Sequence, residues 1–223
     1  MTFELVASFH GLVIFTELEW KGKRTGDELE ALVSAKLGTR LHPIERFDLS
    51  QGDHCSGMDH GDLSCLPRNI LVHGDNLQVM RTLLEVKGEC IDLIYVDPPF
   101  ATGSNQKYQV LIGEGTRVNA EWDAYIDTWQ DPAEYLTMIQ ERVWFMHRLL
   151  KSTGCMYVHV DEKMCHHVRL ILDEIFGREN FLNEIIWVYK RWTASARKFQ
   201  KLHDVIFLYS KTGEYTFNTL HVP

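Results

Sequence analysis

Four consecutive residues, Asp97-Pro98-Pro99-Phe100, bring together groups that suit chemistry on a flat, weakly nucleophilic amine. The Asp97 carboxylate, when ionised, only accepts hydrogen bonds. The Pro98 carbonyl is a second acceptor. Its direction is set by the two prolines, each of which locks its own φ and keeps the preceding residue out of the helical region. Phe100 offers a ring face on which a base can stack. The lone pair of an aromatic exocyclic amine is delocalised into its ring. Two acceptors aimed at the two amine hydrogens favour a tetrahedral nitrogen with that pair released, which is what methylation needs. Acceptors aimed where charge develops supply a large share of catalysis. The plainer reading of the same residues is a turn that closes a strand on a solvated acid.

Ile91 to Val96, immediately upstream, must position this elbow. The run is short, mostly apolar and rich in β-branched and aromatic residues. It predicts a central parallel strand covered on both faces. Upstream, Ile70–His73 predicts a strand, Gly74-Asp75-Asn76 a turn, and Leu77, Val79, Met80, Leu83 and Leu84 one helix face that Gly88 terminates. Downstream, Asp131-Pro132-Ala133-Glu134 opens a helix with an acid cap and a first-position proline. Its apolar face, Leu136, Ile139, Val143, Met146 and Leu150, runs toward Gly154. Cys155–Val160 is the next strand. Asp161 caps the next helix (Val168, Ile171, Leu172, Ile175), which Gly177 follows. Ile185–Tyr189 and Val205–Tyr209 read as antiparallel partners at a sheet edge. Alternating strands and helices predict an α/β domain with a doubly wound, mostly parallel sheet. Ligands of such sheets sit at the carboxyl ends of the strands. Asp75, Asp97 and Asp161 each close a strand there and should face one crevice, with Asp161 serving as helix cap before ligand.

The Asp-Pro-Pro-Phe sequence and its flanks resemble the amino-group DNA methyltransferases, which make N6-methyladenine or N4-methylcytosine. The flanks are His73-Gly74-Asp75-Asn76-Leu77, Ala101-Thr102-Gly103 and the segment from His203 to Lys211. The resemblance covers about Glu17 to Lys211 and is closest to the modification subunits of type III restriction systems. It implies a Rossmann-like methyltransferase sheet, S-adenosylmethionine as cofactor and double-stranded DNA as partner. It also implies Asp97, Pro98, Pro99 and Phe100 as catalytic residues, with Asp75 and Asp97 at the cofactor; Asp75 would lie near its adenine ring while also capping a helix. An aspartate before the prolines resembles the adenine enzymes more than the cytosine enzymes, and cytosine N4 is the alternative. Methylation of RNA or a protein amide is a further reading, as is a fragment that binds nucleic acid or a partner without turnover.

The family's cofactor signature, Phe-x-Gly-x-Gly, is absent from these residues. In the permuted class it follows the catalytic motif. The expectation is a partial sheet lacking the cofactor-motif strands, with an exposed apolar edge. A restriction subunit, or a polypeptide carrying the cofactor half, would be a partner. The DNA target sequence is not legible.

A chain of 223 residues suits one sizeable core with an appendage. Residues 1–68 have no clean period and read as an N-terminal extension and linker, with a basic turn at Trp20–Arg24 before a short helix over Asp27–Leu37. Residues 69–223 form the catalytic half. Ala101–Asp131 is long for a loop and so suits a functional role, such as closing over a base or cofactor. Gly113-Glu114-Gly115 lacks the strand-to-helix context of a nucleotide fingerprint. His54, Cys55, His60 and Cys65 match no common zinc spacing, and no metal is expected. Five cysteines without a framework pattern suit a reducing compartment. No run is long enough to span a bilayer, so a soluble, cytoplasmic protein is expected. The net charge of −8 argues weakly against a surface built wholly for nucleic acid. Lys190, Arg191, Arg197, Lys198 and Lys201 nevertheless lie in an acid-free stretch with Trp192 and Phe199. They are candidate phosphate contacts, or simply a solvated basic loop.

Overall fold

A computed structural model describes residues 5–10, 13–35, 72, 74–100, 106–112, 118–125, 131–190, 197 and 199–219; residues 5–10, 13–17, 106–112 and 118–125 are described by their backbone. In chain order the elements are β1 (Leu5–His10), β2 (Val13–Leu18), α1 (Gly26–Ser34), α2 (Asn76–Lys87), β3 (Ile91–Val96), β4 (Gln106–Ile112), β5 (Val118–Tyr125), α3 (Pro132–Leu149), β6 (Leu150–Val160), α4 (Cys165–Phe176), β7 (Phe181–Val188) and β8 (His203–Ser210). Strands β1 and β2 pair antiparallel, as do β4 and β5.

The helices begin where their caps stand. Asp75 accepts from the Gln78 amide at the start of α2, and Gly88 closes that helix at φ 62°, a left-handed value glycine takes without strain. At the start of α3, Asp131 accepts from the Ala133 amide at 2.9 Å, next to Pro132. Thr25 and Glu28 form a reciprocal capping box on α1. That helix ends at Ser34, short of the expected Leu37.

The main sheet has the order β3-β6-β8-β7. β3 runs parallel to β6, β8 antiparallel to β6, and β7 antiparallel to β8. The fold is α/β, with a mixed sheet, because the final two strands fold back as a hairpin onto β6. On one face Met156, Val158 and Val160 stand opposite Tyr209, Phe207 and Val205. They are buried against Leu136, Ile139 and Val143 of α3 and Val168, Ile171 and Leu172 of α4. Burying each large apolar side chain contributes roughly 1.5–3 kcal/mol. Leu18 and Trp20 join this core, and the Trp20 indole donates to Thr137 Oγ1. Part of the expected N-terminal extension thus packs into the same core as α3 and α4.

Three expectations are corrected. β3 is the terminal strand of the sheet and is not covered on both faces: among the described residues only β6 pairs with it, and Leu93 and Tyr95 are 58% and 55% exposed. Among the described residues this side of the sheet is unpaired and carries those two exposed side chains. The stretch from Ala101 to Asp131 contains the β4–β5 hairpin rather than being loop throughout. β6 starts at Leu150, directly after α3, and Gly154 lies inside it. A Cβ there would meet Leu150 Cδ2 at 2.9 Å and the Ile91 carbonyl at 3.1 Å, so glycine permits the close approach of β3. Of the expected strand at Ile70–His73 only Val72 is described, exposed and outside any strand; Ala101 to Ser104, Gly113 to Gly115, and His54, Cys55, His60 and Cys65 lie outside the described residues.

Candidate active site

Parallel pairing puts the ends of β3 and β6 side by side, so Asp97 and Asp161 leave the sheet at the same edge. They take different roles. Asp161 is buried, and its Oδ1 accepts from the Lys163 and Met164 amides at 3.2 and 3.3 Å, while its carbonyl accepts from Cys165 N. It braces the turn ahead of α4 and is not the cap expected: the N-cap is Met164, and no side chain caps that helix. Burial raises its pKa, opposed by those two amides.

The Asp97 side chain lies on the sheet face opposite the core and is about half exposed. There it meets His159 of β6, with Asp97 Oδ1 3.9 Å from Nδ1. The Tyr95 hydroxyl lies 3.2 Å from the same nitrogen, and the Phe100 ring meets the imidazole edge-on at 5.6 Å. On its far side, His159 Nε2 lies 3.4 Å from Asp204 Oδ2, and Tyr189 donates to Asp204 Oδ1. Desolvation, then the Asp97 charge, raises the Tyr95 pKa, which keeps its hydroxyl a donor. Neither His159 nor Asp204 was singled out in the sequence; the available signal was a histidine in the otherwise apolar strand ahead of Asp161.

On the helix side, Asp97, Pro98 and Pro99 form one wall of a cavity of about 250 Å³. Met138, Ile139, Val143 and Met146 of α3 supply the apolar lining, with Val96 and Val158 at the floor. Asn76 and Arg142 supply polar groups. The Arg142 Nε donates to Asn76 Oδ1 at 2.8 Å, and its guanidinium reaches Asp75 at 3.6 Å. Asp75 therefore comes to the rim of the space that Asp97 lines, while Asp161 does not line it. Arg142 was missed; its signal is a cation set among the apolar positions of α3.

The basic stretch joins β7 to β8. Because β8 is antiparallel to β6, this connection stands at the same sheet end as Asp97. Lys190, Arg197 and Lys201 are exposed there, beside a fully exposed Phe199. Lys201 is held by Glu162 at 2.5 Å. Arg191, Trp192 and Lys198 lie outside the described residues. Among the described residues no group of three metal-ligating side chains comes together, and no helix is long and apolar enough to cross a membrane.

Residues 91–223 match the model of an N6/N4 methyltransferase family described as DNA methylase. The chain is 36% identical over 152 residues to the type II methyltransferase M.EcaI of Enterobacter cloacae, covering 67% of this chain and 31% of that protein. It is 27% identical over 159 residues to the type III restriction-modification enzyme StyLTI Mod subunit of Salmonella typhimurium, covering 66% and 24%. A solved structure of an M1.HpyAVI–SAM complex aligns with 68% of this chain and 60% of its own, at 14% identity and a TM-score of 0.42. The chain spans about a quarter to a third of the length of these two curated relatives.

Proposed function

This chain belongs to the N6/N4 DNA methylase family, and we propose that it carries the catalytic side of a methyl transfer from S-adenosylmethionine to an exocyclic amine of DNA, with adenine N6 as the target. The observation that carries the reading is the placement of Asp97-Pro98-Pro99-Phe100: it ends a parallel strand at a cavity wall, inside the segment that matches the family. The aspartate ahead of the prolines favours adenine.

The described residues would line one side of the cofactor, whose Phe-x-Gly-x-Gly signature is absent from these residues. Met138, Ile139, Val143 and Met146 would take an apolar ring, and Asp75, Asn76 and Arg142 would take polar groups at the rim. When bound, the cofactor supplies an electrophilic methyl carbon on a sulfonium. Asp97 and the Pro98 carbonyl would accept hydrogen bonds from the amine, freeing its lone pair for the methyl carbon, so that the N–C bond would form as the S–C bond breaks and its electron pair returns to sulfur as a neutral thioether. Asp97 would then receive the proton that the amine sheds. Phe100 holds the extruded base by stacking, worth about 1–3 kcal/mol. Duplex DNA reaches this edge along the basic β7–β8 connection, through Lys190, Arg191, Arg197, Lys198 and Lys201. By analogy with the Mod subunit, a restriction subunit is a second partner.

The test is incubation of the protein, together with a polypeptide that carries the Phe-x-Gly-x-Gly half, with duplex DNA and methyl-tritiated S-adenosylmethionine, followed by nucleoside analysis; residues 1–223 alone should show no measurable transfer. Label in N6-methyladenine is expected. Asp97→Ala should abolish it and leave cofactor affinity within a few-fold. Label in N4-methylcytosine would reverse the base assignment, and turnover by the alanine variant near wild type would remove Asp97 from the mechanism.

A further inference from the structure

Both working arms of the elbow converge on one side chain of the neighbouring strand. His159 Nδ1 faces Asp97 Oδ1 at 3.9 Å, and the imidazole meets the Phe100 ring edge-on at 5.6 Å. The imidazole is itself fixed from behind. The Asp204 carboxylate at 3.4 Å can only accept, so Nε2 is the nitrogen that carries a proton. In the neutral ring Nδ1 is then an acceptor, and the Tyr95 hydroxyl donates to it at 3.2 Å. At 16% exposure His159 is largely shielded, whereas Asp97 is 56% exposed.

We infer that His159 is a positioning residue for the Asp97-Pro98-Pro99-Phe100 elbow, with Asp204 setting its tautomer and orientation. A carboxylate on a half-exposed loop samples several rotamers, and so does a ring beside it. Nδ1 has no proton to give Asp97, so the imidazole, fixed by Tyr95 and Asp204, acts by occupying space: it limits where the Asp97 carboxylate and the Phe100 ring can swing, and small misplacements of such groups are costly. Asp204 acts at one remove, as partners behind a histidine do at other sites. This role rests on the methyl-transfer reading, but the buttress can be observed without turnover.

The variants are His159→Phe, His159→Gln and the near-isosteric Asp204→Asn, each compared with wild type, with the spectra taken on the 223-residue chain and the binding and methyl-transfer assays run with a polypeptide carrying the cofactor half present. Nitrogen-15 spectra of the imidazole should show the Nε2–H tautomer in wild type and a mixture in Asp204→Asn. The Asp97 carboxyl carbon and Phe100 ring resonances should shift and broaden in both Asp204→Asn and His159→Phe. In methyl-transfer assays kcat should fall at least tenfold in those two variants, with the Kd for S-adenosylmethionine within twofold. His159→Gln, which keeps a donor toward Asp204, should recover part of the loss. Unchanged Asp97 and Phe100 resonances in His159→Phe would overturn the inference, as would kcat within twofold of wild type. If wild type methylates no DNA amine while the resonances shift as described, the proposed function fails and the buttress stands.

Discussion

Arg142 and Asp75 face each other at 3.6 Å, guanidinium to carboxylate, and this contact ties α3 to the N-terminus of α2. The same guanidinium holds Asn76, so one cation arranges both polar groups at the cavity rim. As a half-exposed pair it stabilises the fold by only about 0.2–1 kcal/mol. Arg142→Ala should therefore cost little in a urea melt. It should weaken S-adenosylmethionine binding about tenfold by calorimetry. A large stability loss with unchanged cofactor affinity would make Arg142 a strut alone.

Phe100 keeps its stacking face when replaced by tyrosine and loses it when replaced by alanine. With 2-aminopurine at the target base, wild type and Phe100→Tyr should give the same fluorescence change on binding. Phe100→Ala should weaken capture by roughly 1–3 kcal/mol. Equal signals in all three would exclude the ring from holding the base.

Phosphate contacts leave a signature in salt. Each one removed flattens the plot of log affinity against log salt by about 0.9. Lys190→Ala with Arg197→Ala should lower the slope by nearly two. Lys201→Ala should do less, because Glu162 already holds that ammonium. An unchanged slope would return the connection to an ordinary solvated loop.

Asp161→Asn separates a bracing role from a ligand contact. Asparagine keeps the oxygen that accepts from Lys163 and Met164 but removes a buried charge. The raised carboxyl pKa means that the folded state favours the protonated acid, and the associated stability is lost as pH rises through that value. At pH 8 the variant should be as stable as wild type or more so, and should keep its turnover. A tenfold drop in kcat would place Asp161 on a ligand.

Acid sensitivity should centre on His147. Its ring packs against Phe176 at 4.7 Å, and burial, with help from Lys211, lowers its pKa to about 4. The unfolded value is about 6.5, so unfolding takes up a proton between the two. The stability it contributes is complete above about 6.5 and is lost as pH falls toward 4. Denaturation midpoints of wild type should drop across that window, and His147→Leu should flatten the drop. Parallel curves would refute it.

Much of the frame was legible because local chemistry writes it. Asp75 and Gly88 bracket α2, and Asp131-Pro132 opens α3, as their residue types require. The strands were recognisable, but their neighbours were not. An apolar run such as Ile91 to Val96 reads the same with one partner strand or two, so the edge position of β3 was hidden. The β4–β5 hairpin lacks a clean alternation. The site divides in the same way. Asp97 and Phe100 are three residues apart in sequence, whereas His159 meets Asp204 only because β6 and β8 pair with His159 opposite Ile206. Register, a long-range property, places both on one face.

α3 ends at Leu149 and β6 begins at Leu150, with no connecting residue between them. Met138, Ile139 and Arg142 on one side of the candidate site, and Val158 and His159 on the other, therefore belong to a single uninterrupted length of chain. No hinge separates the wall of the cavity from the strand that supports Asp97. Both also pack into the same core, so their backbone amides should exchange with solvent as one cooperative unit, at one free energy.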